Sequence, residues 1–468
     1  MTLRHPRGAA TPSRQHRENY VFRASRSGLV VLLAAGALLA QACGSDSSST
    51  DETTTTVDGG DSGPYAVDTS SCPADATEPI TGTVKIGTTM PLSGGVAAAA
   101  FAPVAEGMKN YIAYANANDL LPGVKLELTI EDDQFNSNLT TPAVGKLIDS
   151  TGVNLFAGMI GTANNQAVRD LLNEECYPQL FVNSGAPIWG DVGEFPWTVG
   201  GLPPYNTETA IYVQDIEREF PDGATAAVFH VNSEFGDSYQ KAFAGLADGA
   251  NIDVVAEQTI ENEDSNPPRA QINAIAAEAP DVVLAVPLGA QCITFLSEMA
   301  NAKAANPGWA PRVYITSTCA STLILSVAGD AADGIFTIIT AKDANDPGFA
   351  EDPQIRAYKT EMANLGFAAD GDFATAGAGW TAGELTVEVL RQAAASEGGL
   401  TRASILEAAR AMDYHFQLAR DGINFITNGS QDAFGLESMQ VVQYSAATKT
   451  YTDVGALVTA FEGKTKAS

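Results

Sequence analysis

Between residues 84 and 340, short apolar runs rich in β-branched residues alternate with stretches whose apolar positions recur at helical spacing. That alternation constrains the fold more than any other feature. Strands separated by helices pair in parallel and are covered on both faces, which means doubly wound α/β sheets. The series opens at VKIGTT (84–89), a buried strand by pattern, broken by the turn residues Pro91-Leu92-Ser93-Gly94-Gly95. Val104, Met108, Tyr111, Ile112 and Ala115 then mark a helix, with Glu106, Lys109 and Asn110 between them. A glycine-bearing loop between strand and helix presents free N–H groups to a polar or anionic ligand group, or is an ordinary βα turn.

Strands are expected at 125–133, 154–160 and 178–186, with helices at 141–152 and 164–176. A second series follows, with helices at 205–220 and 236–249, a strand at 225–233, and further alternation through DVVLAV, QCITFLSEMANAK and RVYITS. Two series predict two Rossmann-like lobes. Residues 353–415 turn helical, and SMQVVQYSAATKTYTDVGAL returns to strand-like alternation. Such an order predicts a chain that crosses between its lobes more than once, making a hinge. The expected first lobe is 81–203 with 336–420, and the second is 204–335 with 421–468.

The chain has 468 residues, 26 Lys plus Arg and 56 Asp plus Glu. Six of the basic residues and one acidic residue precede Cys43, leaving 20 against 55 and a net charge of −35 from there on. So acidic a chain excludes nucleic acid as a partner and excludes docking on an anionic membrane through a basic face. Residues 29–40, LVVLLAAGALLA, are apolar throughout but 12 long, the length of a signal-peptide core and too short to span a bilayer. With Ala40-Gln41-Ala42-Cys43 they resemble a lipoprotein signal, although Leu39 stands four before the cysteine instead of three. Residues 1–42 are thus read as a signal peptide and Cys43 as the lipidated first residue; the alternative is ordinary cleavage after Ala42. Residues 43–80, opening GSDSSSTDETTTTVDGGDSGP after the cysteine, read as a flexible tether.

Cys72, Cys176, Cys292 and Cys319 are an even set in an exported chain, which predicts two disulfides with three possible pairings. Cys292 follows the strand DVVLAV and Cys319 follows RVYITS. If those strands are neighbours, both cysteines lie at one sheet edge, favouring Cys292–Cys319 and leaving Cys72–Cys176.

The ordered set VKIGTTMPLSG, EDDQFN, GMIGTANNQAV, LFVNSGA, NSEFGDSYQKAF, DGIFTIITA and GAGWTAGELTVEVLRQA is specific where no single piece is. Across about 84–455 the chain resembles the type I periplasmic solute-binding proteins of ABC importers, the leucine/isoleucine/valine- and amide-binding group, in lipoprotein form. The resemblance implies two lobes that close on a small solute, an ABC permease as partner, a monomer, and contact with the membrane through a lipid anchor alone. It implies no cofactor. Carried onto this chain, the first-lobe solute positions are Ser93 and Gly94, Gly161 and Thr162, and Asn183, Ser184 and Gly185. Each has a turn or capping role as its alternative. Tyr205 and Trp380 stand where the family often has aromatics, with core packing as the alternative.

The second lobe departs from the amino-acid binders. Phe235 stands in place of a tyrosine, Leu288-Gly289 in place of an aromatic, and Thr316-Ser317-Thr318 where a carboxylate would meet an ammonium. A buried ammonium without a carboxylate is costly, so an amide, a carboxylate, a diol or a largely apolar solute is as well suited as an α-amino acid. A sensor of the same fold serving a signalling partner is the alternative function. Catalysis is not expected: Asp132 and Asp133 end a strand and point to opposite faces, and no GxSxG, HExxH, P-loop or CxxC motif occurs. No metal is expected, since His230 and His415 lack ligand spacing.

Overall fold

The first five strands form one parallel sheet in the order β2-β1-β3-β4-β5. The computed structural model describes residues 65–467, so the leader and Cys43 lie outside the described residues. β1 (Thr83–Met90) is an interior strand, almost wholly buried, flanked by the edge strand β2 (Lys125–Asp132) and by β3 (Leu155–Ala157). Between them run α1 (Gly95–Ala117) and α2 (Ser137–Lys146). α2 starts where Asn136 accepts the Asn138 N–H, and the chain leaves a following π-turn at Gly152, in the left-handed region. α3 (Thr162–Glu174), β4 (Gln179–Val182) and β5 (Thr198–Gly200) complete the sheet. β5 was not expected: three residues flanked by Gly and Trp carry too little periodicity to be read.

The second sheet takes α4 (Tyr205–Glu219), β6 (Ala224–Asn232), α5 (Glu234–Ala247), β7 (Ile252–Glu261) and α6 (Arg269–Glu278). It continues with β8 (Val282–Val286), α7 (Gln291–Ala305), β9 (Arg312–Ile315), α8 (Thr322–Ala328) and β10 (Phe336–Ile339). The chain then returns to the first lobe for α9 (Pro353–Asn364), α10 (Phe373–Ala395), α11 (Arg402–Ala409) and the small pair β11 (Asp413–Tyr414) and β12 (Phe425–Ile426). β13 (Gln440–Ser445) and β14 (Thr450–Asp453) finish the second sheet, whose order is β14-β13-β10-β9-β8-β6-β7. β13 runs antiparallel to β10, whereas β6 to β10 are parallel. Each sheet has its own apolar core. No helix among the described residues is long and apolar enough to cross a membrane.

Two lobe boundaries need correction. Phe336–Ile339 belongs to the second sheet, so the crossing to the first lobe falls after 339, not before 336. The apolar run FTII looks the same whichever sheet receives it; the pairing with Tyr314 and with Gln440–Gln443 decides. The return is also later than 420, because Ile423, Phe425 and Leu436 pack in the first core and Met439 in the second. Three crossings result, near 201–204, 340–343 and 437–439.

The tether also ends sooner than expected. Residues 65–80 are described against the first lobe rather than free of it. The Val67 N–H donates to Glu407, Arg402 pairs with Asp75 at 2.8 Å, and the Ile80 N–H donates to the Leu400 carbonyl at 2.7 Å. The Cys72–Cys176 disulfide fixes the same segment. These links offset an ordering cost that composition alone cannot meet. Cys292–Cys319 is the other disulfide, joining the start of α7 to the turn after β9, beyond the ends of the neighbouring strands β8 and β9.

Candidate functional site

In open parallel sheets, ligands gather beyond the carboxyl ends of the strands, where loops expose N–H groups and helices begin. Here the loops after β1, β2, β3 and β4 of one lobe face those after β6, β8 and β9 of the other. A chamber of about 30 Å³ lies on the seam, with walls from both lobes. Gly161, Thr162, Asn183, Tyr205, Phe235 and Leu288 line it, six of the ten residues singled out from the sequence. It opens past Phe135, Thr162 and Phe235 into a vestibule of about 400 Å³, which Gly94 lines. On the hinge side it adjoins a cavity of about 210 Å³ through Asn183, Leu202 and Thr318.

Three expected residues are not on these walls. Ser93 is exposed, and its hydroxyl donates to Asp132, which also accepts the Leu92 and Ser93 N–H groups. Ser184 is fully buried and is bonded to the Trp189 indole and the Thr162 hydroxyl. At Gly185 a Cβ would lie 2.0 Å from the Pro203 carbonyl, so it permits close packing of the 203–205 turn. Trp380 sits in the first core against Tyr111, Tyr114 and Tyr358, with its indole N–H on Gln417.

Phe101, Phe135, Ile160 and Leu202 complete the chamber and were not singled out, together with Thr318 of the 316–318 stretch that stands where a carboxylate would meet an ammonium. Phe101 and Phe135 stack at 6.1 Å. Phe135 is the more instructive, being an aromatic with φ of +57° in a loop directly after a strand. A bulky side chain in that backbone region is unusual enough to mark a site, but φ is not visible in a sequence.

The carboxylates packed behind the chamber are already engaged. Glu208 lies behind the 316–318 loop and accepts from Tyr212, Tyr239 and both the N–H and hydroxyl of Ser317, at 2.7–2.9 Å. Burial pushes its pKa up against those hydrogen bonds. Asp133 is held by Thr140 at 2.8 Å and Asn164 at 3.0 Å, and burial raises it likewise. Asp132 and Asp133 thus serve separate loops. The chamber walls carry no ionised side chain among the described residues. Elsewhere, Asp432, Glu437 and Glu462 bring carboxylate oxygens within 4.8 Å of one another. Glu437 there accepts the Gly463 and Thr465 N–H groups, which fasten the C-terminal tail to the third crossing.

Two lobes, three crossings and a seam chamber walled by both sides define a two-lobed binding protein. Residues 83–449 match the family model described as periplasmic binding protein, and the chain belongs to that family. The family is one of binding proteins, not enzymes. No curated protein is matched by sequence. Among solved structures, a branched-chain amino acid ABC transporter protein from Thermus thermophilus with bound valine is similar at a TM-score of 0.72 and 19% identity, covering 81% of this chain and 97% of its own. A possible leucine/isoleucine/valine-binding protein from Rhodopirellula baltica is similar at 0.66 and 19%, over 82% and 98%. A solute-binding protein of an ABC transporter from R. palustris in complex with benzoate is similar at 0.67 and 17%, over 83% and 99%. These likenesses concern the fold.

Proposed function

We propose that the protein is an extracytoplasmic solute-binding lipoprotein that takes up a small polar or amphipathic solute between its lobes and delivers it to an ABC importer. The observation that carries this reading is the seam chamber, built from loops of both lobes that the three crossings allow to part. A solute touching both walls favours the closed form by its differential affinity for it. Anchorage through Cys43 would hold the receptor near its permease.

The chamber chemistry supports a solute with an apolar body. Phe101, Phe135, Ile160, Leu202, Phe235 and Leu288 supply apolar surface. Thr162, Asn183 and Thr318 supply the polar contacts. An ammonium within the chamber would meet no carboxylate, since its lining has none, Glu208 and Asp133 are committed elsewhere, and Glu234 and Glu263 stand out in the vestibule. Solutes such as an aromatic or aliphatic carboxylate or an amide therefore suit it better than a zwitterionic amino acid.

A thermal-shift screen of carboxylates, amides, diols and amino acids tests the proposal, because a ligand of the folded state raises the melting temperature with its excess over Kd. The expected result is a saturable shift from an apolar acid or amide that weakens in Thr162→Ala and Phe235→Ala. A shift given by amino acids alone overturns the solute class. No shift with any solute counts against the receptor reading.

A further inference from the structure

The vestibule has an outer wall that the chamber does not use. α1 begins bare, with Gly94 at its N-cap, no side-chain cap and no acidic residue in its first turn. Gly94 and Gly95 have φ of +82° and +44°. Across the seam, Glu263 in the turn between β7 and α6 places Oε2 2.0 Å from where a Cβ at position 95 would stand. Glycine at 95 is what admits the carboxylate. An anion at that point faces the positive end of the α1 dipole.

The turn carrying Glu263 is braced from below. Gln291, buried at the start of α7, donates its Nε2 to the Glu261 carbonyl at 3.0 Å and to the Asp264 carbonyl at 2.9 Å. Asn232 holds the Glu261 carboxylate at 2.9 Å, and the Asp264 N–H closes on the Glu261 carbonyl at 3.0 Å. The other acid of the vestibule, Glu234, belongs to the first turn of its own helix α5. Glu263 instead meets a helix of the opposite lobe.

We propose that Glu263 is an inter-lobe clasp: its carboxylate docks on the bare N-terminus of α1 when the lobes shut, and Gln291 holds its turn in position. The proposal rests on the solute-binding reading for its purpose, because a contact made in the closed form alone shifts the population toward closure and slows release of whatever is inside. Glu263 is a positioning residue that lines the vestibule and not the chamber.

The test needs no solute. Nitroxide-bearing unnatural side chains at exposed positions 106 on α1 and 241 on α5 report the distance between lobes by pulsed EPR in the full chain. In Glu263→Ala the ratio of closed to open molecules should fall about three- to five-fold, the size of one charge at a helix end. Glu263→Gln should move it less. Glu234→Ala should leave it unchanged. Coincident distributions for wild type and Glu263→Ala overturn the clasp, as does an equal shift in Glu234→Ala or a wild type with no closed molecules. Separately, if none of the carboxylates, amides, diols and amino acids of the thermal-shift screen moves the distribution in wild type or variant, the receptor reading fails while the clasp stands.

Discussion

The Trp189 indole N–H donates to the Ser184 hydroxyl at 3.0 Å, and that hydroxyl lies 2.8 Å from the hydroxyl of Thr162. Ser184 therefore couples the start of α3 to the turn after β4 from behind the chamber wall. Ser184→Ala leaves a buried indole N–H unpaired, at a cost of about 1–3 kcal/mol. The expected outcome is a melting temperature lower by a few degrees with solute affinity changed less than in Thr162→Ala. Differential scanning fluorimetry with and without a bound solute checks it. Full stability with lost binding would return the Ser184 hydroxyl to the solute.

The two disulfides differ in exposure. Cys72 is partly exposed, whereas Cys292 and Cys319 are fully buried. Under native conditions a thiol reductant should open Cys72–Cys176 first, releasing the 65–80 segment for protease cleavage while the lobes stay folded. Alkylation followed by mass spectrometry reads the order. Cys72–Cys176 spans 104 residues against 27 for the other pair. The chain-entropy model then assigns it more stabilisation, about 4–5 kcal/mol against about 3–4. Paired cysteine-to-alanine variants compared by urea unfolding test that ranking.

Much of the fold was legible because its signal is periodic. Apart from β5, the strands and helices from 84 to 315 follow apolar spacing that is visible in the sequence. The lobe of Phe336–Ile339 was not legible, since its partner strands lie at 312–315 and 440–445 and spacing says nothing about pairing. The docking of 65–80 escaped because it depends on Asp75, Cys72 and Val67 meeting Arg402, Cys176 and Glu407, all distant in sequence. At the site, Thr162 and Phe235 were reachable through motif resemblance, whereas Phe101 sits in an alanine-rich run with no motif of its own. Phe135 lies within a quoted motif, but its role depends on its backbone conformation and its stacking on Phe101.

Two buried carboxylates contribute to a pH response, beside Asp432, which burial and then the neighbouring Glu437 also push upward. Burial pushes Asp343 up to about 6 and Glu384 up to about 7, against the hydrogen bonds each accepts. Asp343 takes the Thr322 and Asn345 N–H groups at the second crossing, and Glu384 takes the Tyr414 hydroxyl and the Gln417 N–H. Between their unfolded and folded pKa values the folded chain holds protons that the unfolded chain has lost, so stability rises as pH falls through that window. The melting temperature should increase from pH 8 toward pH 5, roughly the window these two shifts define. Glu384→Gln should flatten the response and stabilise the protein at pH 8 by at most about 3 kcal/mol, the equivalent of its shift. A melting temperature that falls steadily from pH 8 to 5 would sink the assignment.

α1 and α10 cross at backbone contact. A Cβ on Gly107 would lie 1.8 Å from the Ala376 carbonyl oxygen, and one on Gly379 would lie 1.8 Å from the Val104 carbonyl oxygen. Neither neighbour is a flexible side chain that can turn aside, so a methyl at either position must push the helices apart. Overpacking of this kind costs about 1–3 kcal/mol and more where backbone is the obstacle. Gly107→Ala and Gly379→Ala should each lower the urea midpoint, with the double variant near the cost of one because the first separates the helices for both. α1 also carries Gly95 and Phe101, so the same displacement moves the clasp and the chamber wall together. Solute affinity should accordingly fall in both variants even where the fold persists. Retained affinity at a lowered urea midpoint would show that the crossing supports stability without positioning the site.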